Sequence, residues 1–188
     1  MKPKKEVETK KLSKYRVVRD TREKIDQGWM FIESERCSGT RVEKLDVGDY
    51  SLSGFEKLVT IERKGSVSEF CGNLTQERFV GSYDPKKSFD KQAEFIRLEA
   101  ITWPFIILEF TLEELLKYPD IPGIPPRLRK TIRFKGSAAL KKIIELQMMY
   151  KTKILFCGNK GKEVASSIFK RVVEEIEKNA HSPNQARY

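Results

Sequence analysis

Two adjacent strand patterns, each carrying acidic residues, constrain the fold of this chain more than any other feature. They lie in GDYSLSGFEKLVTIERK, residues 48–64, where Asp49 stands near the end of the first and Glu62 and Lys64 stand at the end of the second. Alternate residues of a strand project to the same face, so Glu62 and Lys64 point together while Arg63 points away. The fold must therefore bring two acids and a lysine to one place.

This set of side chains suits metal-dependent hydrolysis of a phosphodiester bond. Two carboxylates can hold a hard divalent cation, which takes oxygen ligands. A nearby lysine can steady an attacking water or the charge of the phosphate. The pattern formed by Asp49, Glu62 and Lys64 therefore predicts a nuclease site.

The order of strand and helix patterns predicts the fold class. Strands are expected at residues 15–19, 29–32, 41–52, 58–63, 104–110 and 153–158, and helices at 66–79, 90–100, 112–117, 137–150 and 162–178. Strands followed by helices in this way favour an α/β/α sandwich with a mixed central sheet. Ser66, with Glu69 three residues later, has the pattern of a helix capping box.

The chain divides into three parts. Residues 1–14 are a charged, basic segment that we expect to be flexible, and residues 179–188 are a tail without periodicity. Residues 15–178 form one continuous unit, which we expect to be a single domain.

Composition narrows the class of partner. The 37 basic and 27 acidic residues give a formal net charge of +10, which favours nucleic acid over a membrane surface. The three cysteines are widely spaced and form no CxxC motif, so we expect a reducing, intracellular (cytoplasmic) location. The single histidine, His181, lies near the C-terminus, which argues against a hydrolase of the Ser-His type.

Several motifs in register resemble the nuclease domain of the XPF family of structure-specific endonucleases. In chain order, the motifs are DTRE at 20–23, GDYSL at 48–52, IERKGSVSEFCGNL at 61–74, ERF at 77–79 and PFIILEF at 104–110. The resemblance implies a restriction-endonuclease-like fold and a PD-(D/E)xK active site. It also implies Mg²⁺-dependent (or Mn²⁺-dependent) cleavage of DNA at a branch, flap or junction between single and double strands, in repair, recombination or replication.

The resemblance also assigns roles to particular residues. The implied catalytic residues are Asp20, Glu23, Asp49, Glu62 and Lys64. The implied metal ligands are Asp49, Glu62 and Asp20, and the implied DNA-binding residues are Arg22, Arg63 and Arg78.

The chain departs from the family pattern at two places. Ser68 stands where the family has an acid after the ERK motif, and Glu69 follows one residue later, so Glu69 is either an accessory acid or only a capping residue. The helix-hairpin-helix module of many relatives is missing, which leads us to expect a stand-alone nuclease. Relatives form dimers through helices of this domain, which implies a homodimer through the C-terminal helices, although core packing explains the apolar stripes of those helices equally well.

Two other functions stay open at this point. The first is a non-catalytic nucleic-acid-binding module that kept the fold and the basic surface. The presence of Asp49, Glu62 and Lys64 together argues against it. The second is a less specific nuclease that cleaves DNA or RNA, because chemistry at the phosphate does not depend on the sugar.

Overall fold

Residues 14–23 and 26–181 are described by a computed structural model, in which six strands form one sheet. The strands are β1 (Tyr15–Arg19), β2 (Cys37–Val42), β3 (Tyr50–Leu52), β4 (Val59–Lys64), β5 (Trp103–Leu108) and β6 (Lys153–Phe156). The α-helices of these residues are α1 (Val67–Leu74), α2 (Glu77–Val80), α3 (Glu94–Leu98), α4 (Leu112–Leu116), α5 (Pro126–Arg129), α6 (Gly136–Met149) and α7 (Gly161–His181).

The sheet is mixed, as the sequence predicts. Its strand order is β2-β1-β3-β4-β5-β6, with β3 antiparallel to both neighbours and the pairs β1/β2, β4/β5 and β5/β6 parallel. In the β4/β5 pair Lys64 lies opposite Leu108, so the two strands end at the same edge. The ERK motif thus lies at the end of one of the two central strands of the sheet.

Helices cover both faces of the sheet around two apolar cores. One core contains side chains from α1, α3 and α6, and the other contains side chains from α7. Alternate residues of β5 enter opposite cores, because Ile106 and Leu108 lie in the first and Ile107 in the second. A strand buried on both faces reads as an uninterrupted apolar run, and the predicted α/β/α sandwich is confirmed.

Two predicted strands and two predicted helices differ from the structure. Residues 29–32 lie outside the six strands, and the strand expected at 41–52 is two strands with a loop at 43–49 between them. Leu45 and Val47 alternate with polar residues and are buried, although they lie in this loop. The helix expected at 66–79 is interrupted between Leu74 and Glu77, which separates α1 from α2, and the helix expected at 90–100 is reduced to α3.

The predicted end segments fall mostly beyond the described part of the chain. Residues 1–13 and 182–188 lie outside it, so the predicted flexibility of the two termini stays a prediction. Helix α7 continues to His181, three residues past the predicted end of the domain at 178. None of the helices in the described ranges has the length and apolar character needed to cross a membrane.

Gly48 shows how closely the loop before β3 packs against β4. Its φ of +78° lies in the left-handed region, and a Cβ there would stand 2.1 Å from Thr60 Oγ1. The single hydroxyl hydrogen of Thr60 is shared between the carbonyls of Val47 and Tyr50, which lie 2.9 and 3.3 Å from Oγ1. A side chain at position 48 must therefore displace the group that ties the loop to β4.

We predict that Gly48→Ala destabilises the protein by at least about 2 kcal/mol more than Gly54→Ala. Gly54 is the matched control, since its φ of +83° is equally left-handed but a Cβ would meet nothing within 4 Å. Both variants carry the backbone strain, and only Gly48→Ala adds the clash. Urea unfolding of the two variants measures the difference, and equal losses would contradict the packing argument.

Candidate active site

Asp49 is held by three hydrogen bonds at the start of β3. Its carbonyl accepts from Asp20 N at 2.8 Å, and its own N–H donates to the carbonyl of Ile61 at 2.9 Å. Its Oδ2 accepts from the backbone N–H of Arg63 at 2.7 Å. The carboxylate is therefore fixed between β1 and β4, beside the ERK motif.

Glu62 and Lys64 share one face of β4, in agreement with the alternation of the strand. Lys64 Nζ lies 2.7 Å from Glu62 Oε1 and 3.4 Å from Glu94 Oε1. It also lies 5.1 Å from the ring centre of Phe79. Only 5% of the Lys64 side chain is exposed, so the ammonium is held between two carboxylates and an aromatic ring.

Arg63 points to the opposite face and joins an internal network. Its guanidinium pairs with Glu23 at 2.8 Å and with Glu109, and it lies 5.7 Å from the ring centre of Trp29. Trp29 Nε1 donates to Glu109 at 2.7 Å, and Tyr50 hydroxyl donates to Glu23 at 3.3 Å. With 12% of its side chain exposed, Arg63 has a structural position here, and the DNA contact predicted for it stays a prediction.

Asp20 is buried, and both of its oxygens are engaged. Oδ1 accepts from the backbone N–H and Nε of Arg22, each at 2.7 Å. Oδ2 accepts from Arg22 at 3.1 Å and from Leu45 N at 2.6 Å. This arrangement makes Asp20 an anchor for Arg22 and the loop before β3, and the metal role predicted for Asp20 stays a prediction.

The charges around Lys64 are crowded. Burial and the neighbouring carboxylate of Glu62 raise the pKa of Asp49 well above its usual range. Burial and Glu62 also raise the pKa of Glu94 to about 8. Burial would lower the pKa of Lys64, but the charges of Glu62 and Glu94 outweigh it and raise that pKa. The site therefore has an excess of negative charge that an added cation would relieve.

The two remaining predicted residues, Glu69 and Arg78, are exposed. On α1, Ser66 Oγ accepts from Glu69 N at 3.2 Å, which confirms Ser66 as the N-cap. Among the described residues, the Glu69 side chain does not return the second bond of the predicted capping box. Arg78 lies on α2, next to Phe79, and its Nε donates to Gln76 Oε1 at 2.5 Å. The additional acid beside Lys64 is Glu94 of α3, rather than Glu69 or Ser68.

Sequence reasoning missed Glu94 and Glu109. Glu109 directly follows the apolar strand β5, which pairs in parallel with β4, and its N–H donates to the carbonyl of Lys64 at 2.9 Å. The rule that parallel strands end at one edge could have found it. Glu94 stands 30 residues after Lys64, so only the packing of α3 brings it to the site.

The donor set fits one hard divalent cation held mainly by Asp49 and Glu62. Within the described ranges, no three His, Cys, Asp or Glu residues are grouped so that they could hold a metal. Mg²⁺ commonly takes only one or two carboxylates and completes its shell with waters and substrate phosphates. The raised pKa of Asp49 indicates that its negative charge is incompletely balanced within the protein.

Comparison with known families decides where the chain belongs. The ERCC4 domain model matches residues 19–170, which is most of the chain and lies inside the unit predicted at 15–178. The chain belongs to the ERCC4 domain family. The resemblance to the XPF nuclease domain that the motifs indicate is thereby confirmed.

One solved structure supports the fold, and a second is a weaker match. XPF from Aeropyrum pernix matches with a TM-score of 0.51 and 18% identity, covering 88% of this chain and 68% of that one. A structure of XPF from Aeropyrum pernix in complex with DNA matches with a TM-score of 0.44 and 20% identity, covering 92% of this chain and 68% of that one. No curated protein matches the chain significantly.

We predict that Asp20→Asn lowers the free energy of unfolding at neutral pH by about 2–3 kcal/mol, because it weakens charged hydrogen bonds to a buried group. Burial opposes ionisation, but the bonds from Arg22 and Leu45 outweigh it and hold the pKa of Asp20 below its usual value. The stability that Asp20 contributes is thus present above the unfolded pKa of about 4 and is lost as the pH falls through the folded pKa.

Unfolding curves of wild type and variant between neutral and acidic pH measure this difference. Asp46→Asn is the control, since Asp46 is exposed and follows Leu45 directly. The gap between wild type and Asp20→Asn should narrow on acidification, whereas Asp46→Asn should follow wild type throughout. A gap that does not change with pH would contradict the role of the ionised Asp20.

Proposed function

We propose that this protein is a Mg²⁺-dependent or Mn²⁺-dependent endonuclease that hydrolyses phosphodiester bonds of DNA. The observation that carries the proposal is the arrangement of Asp49 beside Glu62, which is itself paired with the buried Lys64 at 2.7 Å. Membership of the ERCC4 domain family, whose nucleases are endonucleases, supports a nuclease function. Asp49 and Glu62 would hold the metal.

A divalent cation bound there would polarise the scissile phosphate and lower the pKa of a water. The chain's own residues supply the remaining requirements. The raised pKa of Lys64 keeps the side chain protonated at neutral pH, so it serves as a fixed positive charge rather than as a base. Glu94 and Phe79 hold that ammonium in position, which makes Glu94 a positioning residue.

Charge supports a nucleic acid as the substrate. The net charge of +10 favours a polyanion. Arg22 and Arg78 are exposed and keep the predicted role of phosphate contacts, whereas Arg63 is withdrawn into its internal network. Cleavage at branched, flap or junction DNA in repair, recombination or replication is part of the proposal, as the motif resemblance implies.

A homodimer through the C-terminal helices and an intracellular location also stay proposals. The apolar stripe of α7 is largely used in the core, since Phe169, Val172 and Val173 are buried there. Helix α6 still exposes Met148 and Met149, at 82% and 63%. The exposed side of α6 is thus the apolar surface that such an interface would use.

We predict that Asp49→Asn and Glu62→Gln each lower the cleavage rate by about a hundredfold or more, since even outer partners of metal ligands are worth 10–100-fold. Labelled flap, splayed-arm, blunt-duplex and single-stranded DNA and single-stranded RNA are incubated with Mg²⁺, and with EDTA as a blank. Asp46→Asn is the matched control, because it makes the same chemical change at an exposed aspartate of the same loop.

Metal-dependent cutting by wild type and Asp46→Asn, lost in the two site variants, supports the endonuclease. Full activity of Asp49→Asn or Glu62→Gln would refute the assigned metal site. Binding of DNA by wild type without cleavage on any substrate would favour the non-catalytic binding module.

We predict that above pH 8, where Glu94 is ionised, Glu94→Gln slows cleavage about tenfold or more, because loss of this carboxylate misplaces the ammonium of Lys64 at the reacting centre. Glu69→Gln makes the same change at an exposed glutamate and should slow cleavage much less. Single-turnover rates at saturating Mg²⁺ give the comparison, with DNA binding in EDTA as a check that the surface is intact. A larger effect at Glu69 would return the accessory role to that residue.

A further inference from the structure

The segment between α2 and α3, residues 81–93, is a loop with a fixed shape, which we call the α2–α3 loop. Gln92 is buried and crosses its interior. Its Oε1 accepts from Asp84 N at 3.0 Å, while its Nε2 donates to the carbonyls of Asp84 and Lys87 at 2.6 and 2.9 Å. One buried amide therefore satisfies three backbone groups and holds the tip of the loop.

The fixed loop exposes an aromatic ring that the core does not use. Tyr83 is 66% exposed. It lines a groove of about 690 Å³ between the loop and α2. An exposed ring on a fixed backbone is a surface on which a nucleobase can stack, whatever the identity of the base.

The groove also carries positive charge. Arg78, Lys87 and Lys91 line it together with two acids, Glu77 and Asp84. Both oxygens of Asp84 are engaged within the loop, because Oδ1 accepts from the backbone N–H of Lys86 at 3.0 Å and Oδ2 lies 3.8 Å from Lys87 Nζ. The groove keeps a net positive charge, since three cations face two acids, and cations beside an exposed ring match the phosphates and bases of single-stranded DNA.

Both ends of the loop touch the candidate active site. Phe79 of α2 lies against Lys64, at 5.1 Å from Nζ to the ring centre. Glu94, the first residue of α3, lies 3.4 Å from the same ammonium. Single-stranded DNA bound in the groove would thus lie next to the phosphodiester bond that the candidate active site cleaves.

We propose that this groove binds unpaired nucleotides of the DNA substrate, with a base stacked on Tyr83 and phosphates on Arg78, Lys87 and Lys91. The inference rests on the proposed function and deepens it, because it names single-stranded DNA next to the cut as the element recognised. Base pairs stack on each other inside a duplex, so the ring of Tyr83 finds a free base face only where strands separate. The groove selects substrates with a single-stranded arm.

The test is binding without cleavage, measured by fluorescence anisotropy in EDTA. The probes are splayed-arm DNA, single-stranded DNA, single-stranded RNA and a blunt duplex of equal length. The variants are Tyr83→Ala, Tyr83→Trp and Phe89→Ala. Phe89 is the matched control, as it is an exposed aromatic of the same loop, at 46%, that lines a different groove.

We expect Tyr83→Ala to weaken binding of splayed-arm and single-stranded DNA by about five- to hundredfold, the loss typical of one stacked base. Binding of blunt duplex should not change. Tyr83→Trp should retain the affinity for single strands, and Phe89→Ala should bind like wild type. Unchanged urea midpoints of all three variants show that the fold is retained.

Four outcomes would overturn the proposal. Tyr83→Ala could bind like Phe89→Ala, or it could lose affinity equally for duplex and single-stranded DNA. Either result refutes the proposed role of the groove and leaves the nuclease assignment in place. A Tyr83-dependent preference for single-stranded RNA would overturn the choice of DNA. Wild-type protein that binds no DNA would instead refute the proposed function, and the groove with it.

Discussion

The pleat of β4 is the constraint on which the site depends. Three consecutive residues of this strand carry charges, and the alternation of a strand sends the middle one to the face opposite the other two. Arg63 therefore fastens Glu23 and Glu109 on the side of the second core, while Glu62 and Lys64 face Glu94. One strand separates the charges that hold the fold from those of the candidate active site.

Crowding of carboxylates gives the site its electrostatic character. Asp49 and Glu94 both have raised pKa values, and burial is the largest cause for each. Protonation of these two carboxylates removes both the cost of burying their charges and their repulsion by Glu62. Protons and a divalent cation would compete for the same oxygens, so metal affinity should rise as these groups lose their protons.

Local pattern was sufficient for part of the structure. The alternation in β4 placed Glu62 and Lys64 together, and the apolar run of β5 predicted a strand buried on both faces. Pattern failed at residues 41–52, where the alternation of Leu45 and Val47 was mistaken for a strand. A loop can bury alternate side chains in the same way, as Leu45 and Val47 show. The left-handed conformation of Gly48 marks this segment as a turn rather than a continuous strand.

Tertiary contacts decided the rest of the site. The presence of Glu94 beside Lys64 depends on how α3 packs, and nothing within 30 residues of sequence signals it. The motif around Asp20 was found correctly, but its carboxylate is turned to Arg22 and Leu45. A motif identifies which residues matter, whereas the direction in which each side chain points depends on its hydrogen-bond partners.

The cross-tie made by Gln92 has a consequence for how this protein can vary. A surface loop normally tolerates added or deleted residues. Here the flanking helices carry Phe79 and Glu94, which both contact Lys64. A change in the length of the α2–α3 loop would therefore shift the ammonium of Lys64, so the length of this loop is tied to the geometry of the candidate active site.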